Sequence, residues 1–445
     1  MTAMNKTQKF IARSFVLILG VFAAIGAQAG VKIQHWTAPS GAQVYFVENH
    51  DLPMLDVQVD FAAGTLYSPA GKTGLAGLTN GLLDAGAGDL SEDQIAEKLV
   101  DLGANMSNAA DSDRGGVTVR TLSDPKVRTS ALDLMRLVLT QPTFPNAVLA
   151  REKARTIAGL QEADTRPDTI AGKRFAAALY GDHPYGRTAT PESVARITRD
   201  DLVSFYRQRY NAKRAVVSLI GDVSRAEAEA IAQRLTESLP TSTDADQPLP
   251  TVMLPTASII RVQHPAAQSH ILVGLPANRR DDPDFFPLQV GNYVLGGGGF
   301  VSRLMNEVRE KRGYAYDVHS YFAPRLLEGP FTIGLQTRRD QAGAALKVVN
   351  QVLADFLKTG PTAAELTAAK QNIADGFALR TDSNAKLLGI LAAIGFYKLP
   401  LNYLDDYPAK VKAVTAQQVK DAFNRKVKLD HLITVIVAGD EAEKK

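Results

Sequence analysis

Cysteine is absent from all 445 residues. That excludes disulfides, a thiol nucleophile and thiolate metal ligands, and it leaves imidazoles and carboxylates as the strong metal-binding groups. Histidine is scarce as well, limited to His35, His50, His183, His264, His270, His319 and His431. No two of them stand four apart, so no helix can present a pair of imidazoles on one face. The isolated loop residues His50 and His183 read as solvated or hydrogen-bonding side chains. No G-x-S-x-G elbow occurs, and no pair of acids stands in a recognisable setting, which argues against an independent hydrolase. G-x-x-x-x-G-K-[ST] and a G-x-G-x-x-G with a later acid are missing too, which argues against nucleotide binding. Charge of one sign is not in excess. The 50 basic and 47 acidic residues differ by the three cations Lys6, Lys9 and Arg13. Past residue 29 the balance is even, with no basic stripe, and nucleic acid is not expected as a partner.

Those three cations precede a short apolar run over residues 15–24, and Ala27-Gln28-Ala29 follows. The pattern predicts a secretory signal peptide over 1–29 with cleavage after Ala29, and hence a periplasmic protein with no membrane span after cleavage. The run is too short to cross a bilayer, which takes roughly 20 apolar residues. No cysteine follows it, so a lipid anchor is not expected.

What remains is too long for one core and suits two domains. Residues 241–250 are rich in turn formers and read as a linker. The segments on either side end alike. Thr198 and Thr415 each offer an N-cap oxygen to a helix. Ala215-Val216-Val217-Ser218-Leu219-Ile220-Gly221-Asp222 is echoed by Ile433-Thr434-Val435-Ile436-Val437-Ala438-Gly439-Asp440. The threonines lie 217 residues apart and the Gly-Asp pairs 218. A duplicated unit with one small insertion explains that offset. In the first half, 43–48 and 55–62 alternate as half-buried strands, 116–122 as another, and 73–83, 92–102 and 146–164 read as helices. The fold class is α+β: two homologous halves, 31–240 and 251–445, each an antiparallel-rich sheet with helices packed on it.

Pro69-Ala70-Gly71-Lys72-Thr73-Gly74-Leu75-Ala76-Gly77-Leu78-Thr79-Asn80-Gly81 resembles the entry to the zinc helix of the M16 (pitrilysin and mitochondrial processing peptidase) family. There, G-L-A-H-x-x-E-H supplies two ligands and a general base. Carried over, the resemblance puts the ligands on Gly77 and Gly81 and the base on Asn80. Glycine has no donor atom, and asparagine cannot take a proton from water. The family's third ligand, a glutamate, corresponds to 154–161, which holds no carboxylate. The resemblance therefore implies a chain with no metal or cofactor of its own, inactive alone.

The second half keeps more of the family pattern. Residues 292–316 include Gly296-Gly297-Gly298-Gly299, Ser302 as a helix cap, Leu304 and Val308 on one face, and Gly313 as a left-handed stop. Arg309 and Tyr316 match an arginine and a tyrosine that family members use to hold substrate near the scissile bond. Both donate hydrogen bonds, as a carbonyl oxygen gaining charge requires. The four glycines read as a mobile loop facing a substrate chamber. The resemblance implies the substrate-binding subunit of a heterodimeric zinc metalloendopeptidase. Its M16 partner would carry H-x-x-E-H and the zinc, and an unfolded peptide would be the substrate. The rival is a peptide-binding or scaffold protein with no hydrolytic role.

Overall fold

The computed structural model describes residues 31–241 and 248–438. The expected signal peptide, the middle of the expected linker and the closing Gly439-Asp440 lie outside the described residues. Among those described, no helix is long and apolar enough to cross a membrane.

Two sheets organise the chain. In the first, the strands run in the order Gln34–Thr37, Gln43–Glu48, Val216–Gly221, Met54–Phe61, Gly115–Leu122, Asn105–Ala110. In the second the order is Ser258–Val262, Ile433–Val437, Gln268–Asn278, Gly329–Arg338, Ala315–Phe322. Apart from the extra strand Gln34–Thr37 the two orders correspond strand for strand. Each has one parallel pair, Gln43–Glu48 with Val216–Gly221 and Ser258–Val262 with Ile433–Val437, in an otherwise antiparallel sheet. The helices repeat with the threonine offset: Pro125–Thr140 with Ala342–Thr359, Asn146–Ala163 with Ala363–Asp375, and Arg199–Arg209 with Ala416–Lys426. Thr198 and Thr415 both close capping boxes, with Asp201 and Gln418 respectively.

The halves nevertheless interlock, and the described residues from 33 onward form one compact unit. Helix Pro167–Tyr180, from the first half, packs on strands Gln268–Asn278 and Ile433–Val437 of the second sheet. Its Ala171, Phe175 and Leu179 share a core with Ile433, Val435 and Val437. Helix Asn384–Phe396, from the second half, packs on Gln43–Glu48, Met54–Phe61 and Val216–Gly221 of the first. Gly395 permits that approach, because a Cβ there would lie 2.6 Å from Val216 Cγ1 and 2.8 Å from the Tyr45 ring.

This exchange corrects one expectation. The strands Gln43–Glu48 and Met54–Phe61 are not half-buried. Tyr45 and Val47 are buried along with Val44 and Phe46 because the borrowed helix closes the second face. A strand buried on both faces gains apolar contact from every residue.

A polar knot fastens the halves. Asp113, 1% exposed, accepts from the hydroxyls of Tyr185 and Tyr397 and from Leu326 N at 2.9 Å. The Tyr397 bond measures 2.9 Å. Burial, and then the Asp113 carboxylate, hold both phenols above their ordinary range, so they remain donors.

Candidate functional site

The expected zinc helix is present as Leu75–Gly81 and carries no zinc chemistry. Gly77 and Gly81 lie on its exposed side, where an added Cβ would meet nothing within 4 Å. Asn80 points the other way. It is 2% exposed, and its Nδ2 donates to the Gly116 carbonyl at 3.1 Å and to the Tyr210 hydroxyl at 3.3 Å. The position of the family's base thus ties the helix to the first sheet. Among the described residues no group of three histidine, aspartate or glutamate side chains is placed to hold a metal ion. The family's zinc does not fit the residues here, and no catalytic step is assigned to it in this chain.

Two of the histidines serve as braces. His183 Nε2 donates to the Pro250 carbonyl at 3.2 Å while its Nδ1 accepts from Tyr185 N. His264 meets the Thr165 carbonyl at 3.0 Å. Metal analysis of the purified chain after equilibration with trace zinc should find no stoichiometric metal. One tightly held zinc per chain would contradict this description of the helix.

Arg309 and Tyr316 are brought together. Arg309 stands in the last turn of the π-helical segment Met305–Glu310, and the chain then passes Gly313, φ +63°, into strand Ala315–Phe322, which carries Tyr316. The π turn puts one extra residue into the coil and so re-aims Arg309, a device concentrated at functional sites. Its guanidinium carbon lies 4.8 Å from the Tyr316 ring centre and 4.7 Å from that of Phe300. Tyr316 is 83% exposed and Phe300 66%. The cation is clasped between two rings that face solvent, a geometry arginine favours because its plane can stack. Phe300 was not anticipated. Its one sequence signal is its place directly after the glycine run.

The glycine run is not the expected free loop. Residues Tyr293–Gly297 form another π-helical turn and Gly299–Val301 a 3-10 turn. A Cβ on Gly296 would strike Ser320 Oγ at 2.5 Å, one on Gly297 the Asn292 amide at 2.5 Å, and one on Gly298 the Tyr293 carbonyl at 2.7 Å. Only Gly299 is required for its angle, φ +60°. Close packing against the neighbouring turn and strand explains this run.

Ser302, Leu304 and Val308 behave as the sequence suggests. Ser302 Oγ accepts from Met305 N at 3.4 Å, and Leu304 and Val308 are fully buried. Arg303 forks onto Glu365 through two 2.7 Å bonds. That pairing holds the Glu365 carboxyl at about 2, below its ordinary 4.5. A depressed acid stabilises the fold fully above pH 4.5, and the contribution is lost as pH falls through about 2. After allowance for solvent screening, Glu365→Gln should cost on the order of 2 kcal/mol at pH 7. Urea unfolding should show the gap between variant and parent closing as the pH approaches 2. A gap independent of pH would mean the pair contributes nothing electrostatic.

Both sheets end in a strand with one unpaired edge among the described residues. Asn105–Ala110 pairs only with Gly115–Leu122, and Ala315–Phe322 only with Gly329–Arg338. The first lies against the degenerate helix, and the second carries Tyr316.

Comparison with known proteins gives the family. The family described as insulinase (peptidase family M16) matches residues 44–191, and the one described as peptidase M16 inactive domain matches 196–373. A solved peptidase M16 inactive domain from Pseudomonas fluorescens is 39% identical, covers 93% of this chain and 99% of its own, and superposes with a TM-score of 0.88. The chain belongs to the M16 family. A non-peptidase homologue from Helicobacter pylori, YmxG, is 24% identical over 434 residues, 96% of this chain and 98% of the relative. The periplasmic protease PqqL of Escherichia coli shares the fold, with a TM-score of 0.78 at 18% identity. The match takes in 92% of this chain but 46% of PqqL.

Proposed function

We propose that the chain is the non-catalytic, substrate-holding subunit of a periplasmic heterodimeric M16 zinc metallopeptidase. Its partner is an M16 chain with an intact H-x-x-E-H helix. One observation carries this reading: the partly exposed Arg309 and the exposed Tyr316 lie side by side, with Phe300 on the same guanidinium. A guanidinium and a phenol set side by side can both donate to one carbonyl oxygen as it gains negative charge. Bond cleavage is the work of the partner's metal, while this chain binds and orients the peptide. An extended peptide can add to an unpaired strand edge through backbone hydrogen bonds, and both sheets offer one. The likeness to a periplasmic protease about twice as long fits a requirement for two such units. It also fits the signal peptide expected over 1–29.

The open edge beside Gly77 and Gly81 favours a second reading, a peptide-binding scaffold without hydrolysis. Co-expression with an H-x-x-E-H chain from the same organism separates the two. The enzyme reading expects a stable mixed complex whose peptide cleavage exceeds that of either chain alone. A complex with no gain in cleavage supports the scaffold.

A further inference from the structure

The second half also holds a cleft of about 690 Å³, within the roughly 300–1,000 Å³ typical of ligand pockets. It lies between helices Phe285–Asn292, Asn384–Phe396 and Tyr403–Ala413 and the turn Ala378–Arg380. Its walls are preformed. Phe377 stacks flat on Tyr407 with ring centres 4.3 Å apart, and Phe322 packs against Phe331 at 4.7 Å. The surface open to a ligand is apolar too, since the lining residues Leu379 and Tyr321 are 70% and 44% exposed.

Most polar groups around the cleft are already engaged. Asn292 donates to the Ser320 carbonyl at 2.9 Å and accepts from the Ser320 hydroxyl at 2.7 Å. Lys386 Nζ donates to the Leu379 carbonyl at 2.8 Å and pairs with Asp382. Arg280 lies over the Phe285 ring and donates to the Tyr403 hydroxyl at 3.1 Å, while Arg380 faces solvent. Preformed aromatic walls with few free polar groups suit an apolar side chain better than a charged ligand.

The cleft also reaches the strand that carries Tyr316. Its lining residues Tyr321 and Phe322 close strand Ala315–Phe322, one edge of which is unpaired among the described residues. Tyr316 and Tyr321 stand five residues apart, about 17 Å along a strand that rises ~3.4 Å per residue.

We infer that this cleft is a distal subsite for an extended peptide laid on the Ala315–Phe322 edge. It takes an apolar side chain about five residues from the peptide bond held at Arg309 and Tyr316. Such a site selects long unfolded peptides over short ones. The inference rests on the peptide-holding part of the reading above, which subunit and scaffold share, and needs no zinc partner.

The test is fluorescence anisotropy on the full chain alone, with labelled decapeptides of serine and threonine. One carries a phenylalanine near its N-terminus and another near its C-terminus. Whichever way the peptide runs, one of the two should bind at least tenfold more tightly than the parent without phenylalanine. Methylating the backbone nitrogens of that peptide removes its donors to the edge and should weaken it at least tenfold. Acetyl-phenylalanine amide, too short to reach along the strand, should be weaker by a similar factor. Gly389→Leu fills the cleft from an exposed helix position where an added Cβ meets nothing within 4 Å. It should erase the advantage of phenylalanine with thermal unfolding unchanged. No advantage at either end, or one that survives Gly389→Leu, would overturn the subsite while the polar parent still binds and the peptide-holding reading stands. Equal binding by the methylated peptide or by acetyl-phenylalanine amide would overturn it in favour of a small-ligand site unrelated to the edge. No binding by any of these peptides would count against both the subsite and the peptide-holding reading.

Discussion

Peptide cleavage by a complex of this chain with its zinc-bearing partner should fall about a hundredfold on Arg309→Ala, and similarly on Tyr316→Phe, if each removes one donor from the developing oxyanion. Assembly should be untouched, because Tyr316 is 83% exposed and neither residue belongs to the core of this chain. The double variant should cost less than the sum of the singles, since two donors on one oxygen act as a unit. Arg309→Lys should recover little. An ammonium offers no plane to stack between Phe300 and Tyr316. Phe300→Ala should show a smaller loss, because it loosens the guanidinium without removing a donor. Single-turnover rates and size-exclusion profiles of the mixed complex are the measurements. Parent-like rates from both single variants, in a complex that does cleave, would make the pair a bystander and leave the scaffold reading standing.

A second large effect is expected at Asp113, far in sequence from everything it joins. Asp113→Ala removes the acceptor for the buried Tyr185 phenol, the partly buried Tyr397 phenol and the Leu326 N–H at once. Each stranded donor costs about 1–3 kcal/mol, so a loss on the order of 3–5 kcal/mol is reasonable after partial relaxation. Asp113→Asn keeps one acceptor oxygen and should lose about half as much. Urea unfolding gives the total, and hydrogen exchange at the Leu326 amide reports the junction itself. Loss of protection at Leu326 ahead of the sheet amides is the signature of a fastening between halves. A change under about 0.5 kcal/mol, typical of a surface site, would show that Asp113 is not one.

Much of this was legible in the chain because it depends on local periodicity. The capping threonines, the apolar strand Val216–Gly221 and its counterpart Ile433–Val437 announced the repeat, and the sheets repeat in the same order. Gly77 and Gly81 announced the lost ligands because absence of a donor atom needs no structure to judge. Two things were not legible. The apolar stripe of Asn384–Phe396 says that it must be covered, but not by which sheet, so the exchange and the double burial of Tyr45 were hidden. The glycines at 296–299 have the same composition whether a loop is free or a turn is packed tight.

The exchanged helices also bear on how such a molecule arises. Pro167–Tyr180 and Asn384–Phe396 occupy equivalent places in the repeat, and each completes the other's sheet. That is the geometry of a domain swap written within one polypeptide. A single-copy ancestor would have met the same need by dimerising, each protomer folding only at the concentration of its twin. Fusing two copies makes that encounter intramolecular, at the high effective concentration a short tether provides. Symmetry is then no longer enforced. One copy could keep an arginine and a tyrosine at its edge while the other surrendered its ligands, with the shared core intact throughout.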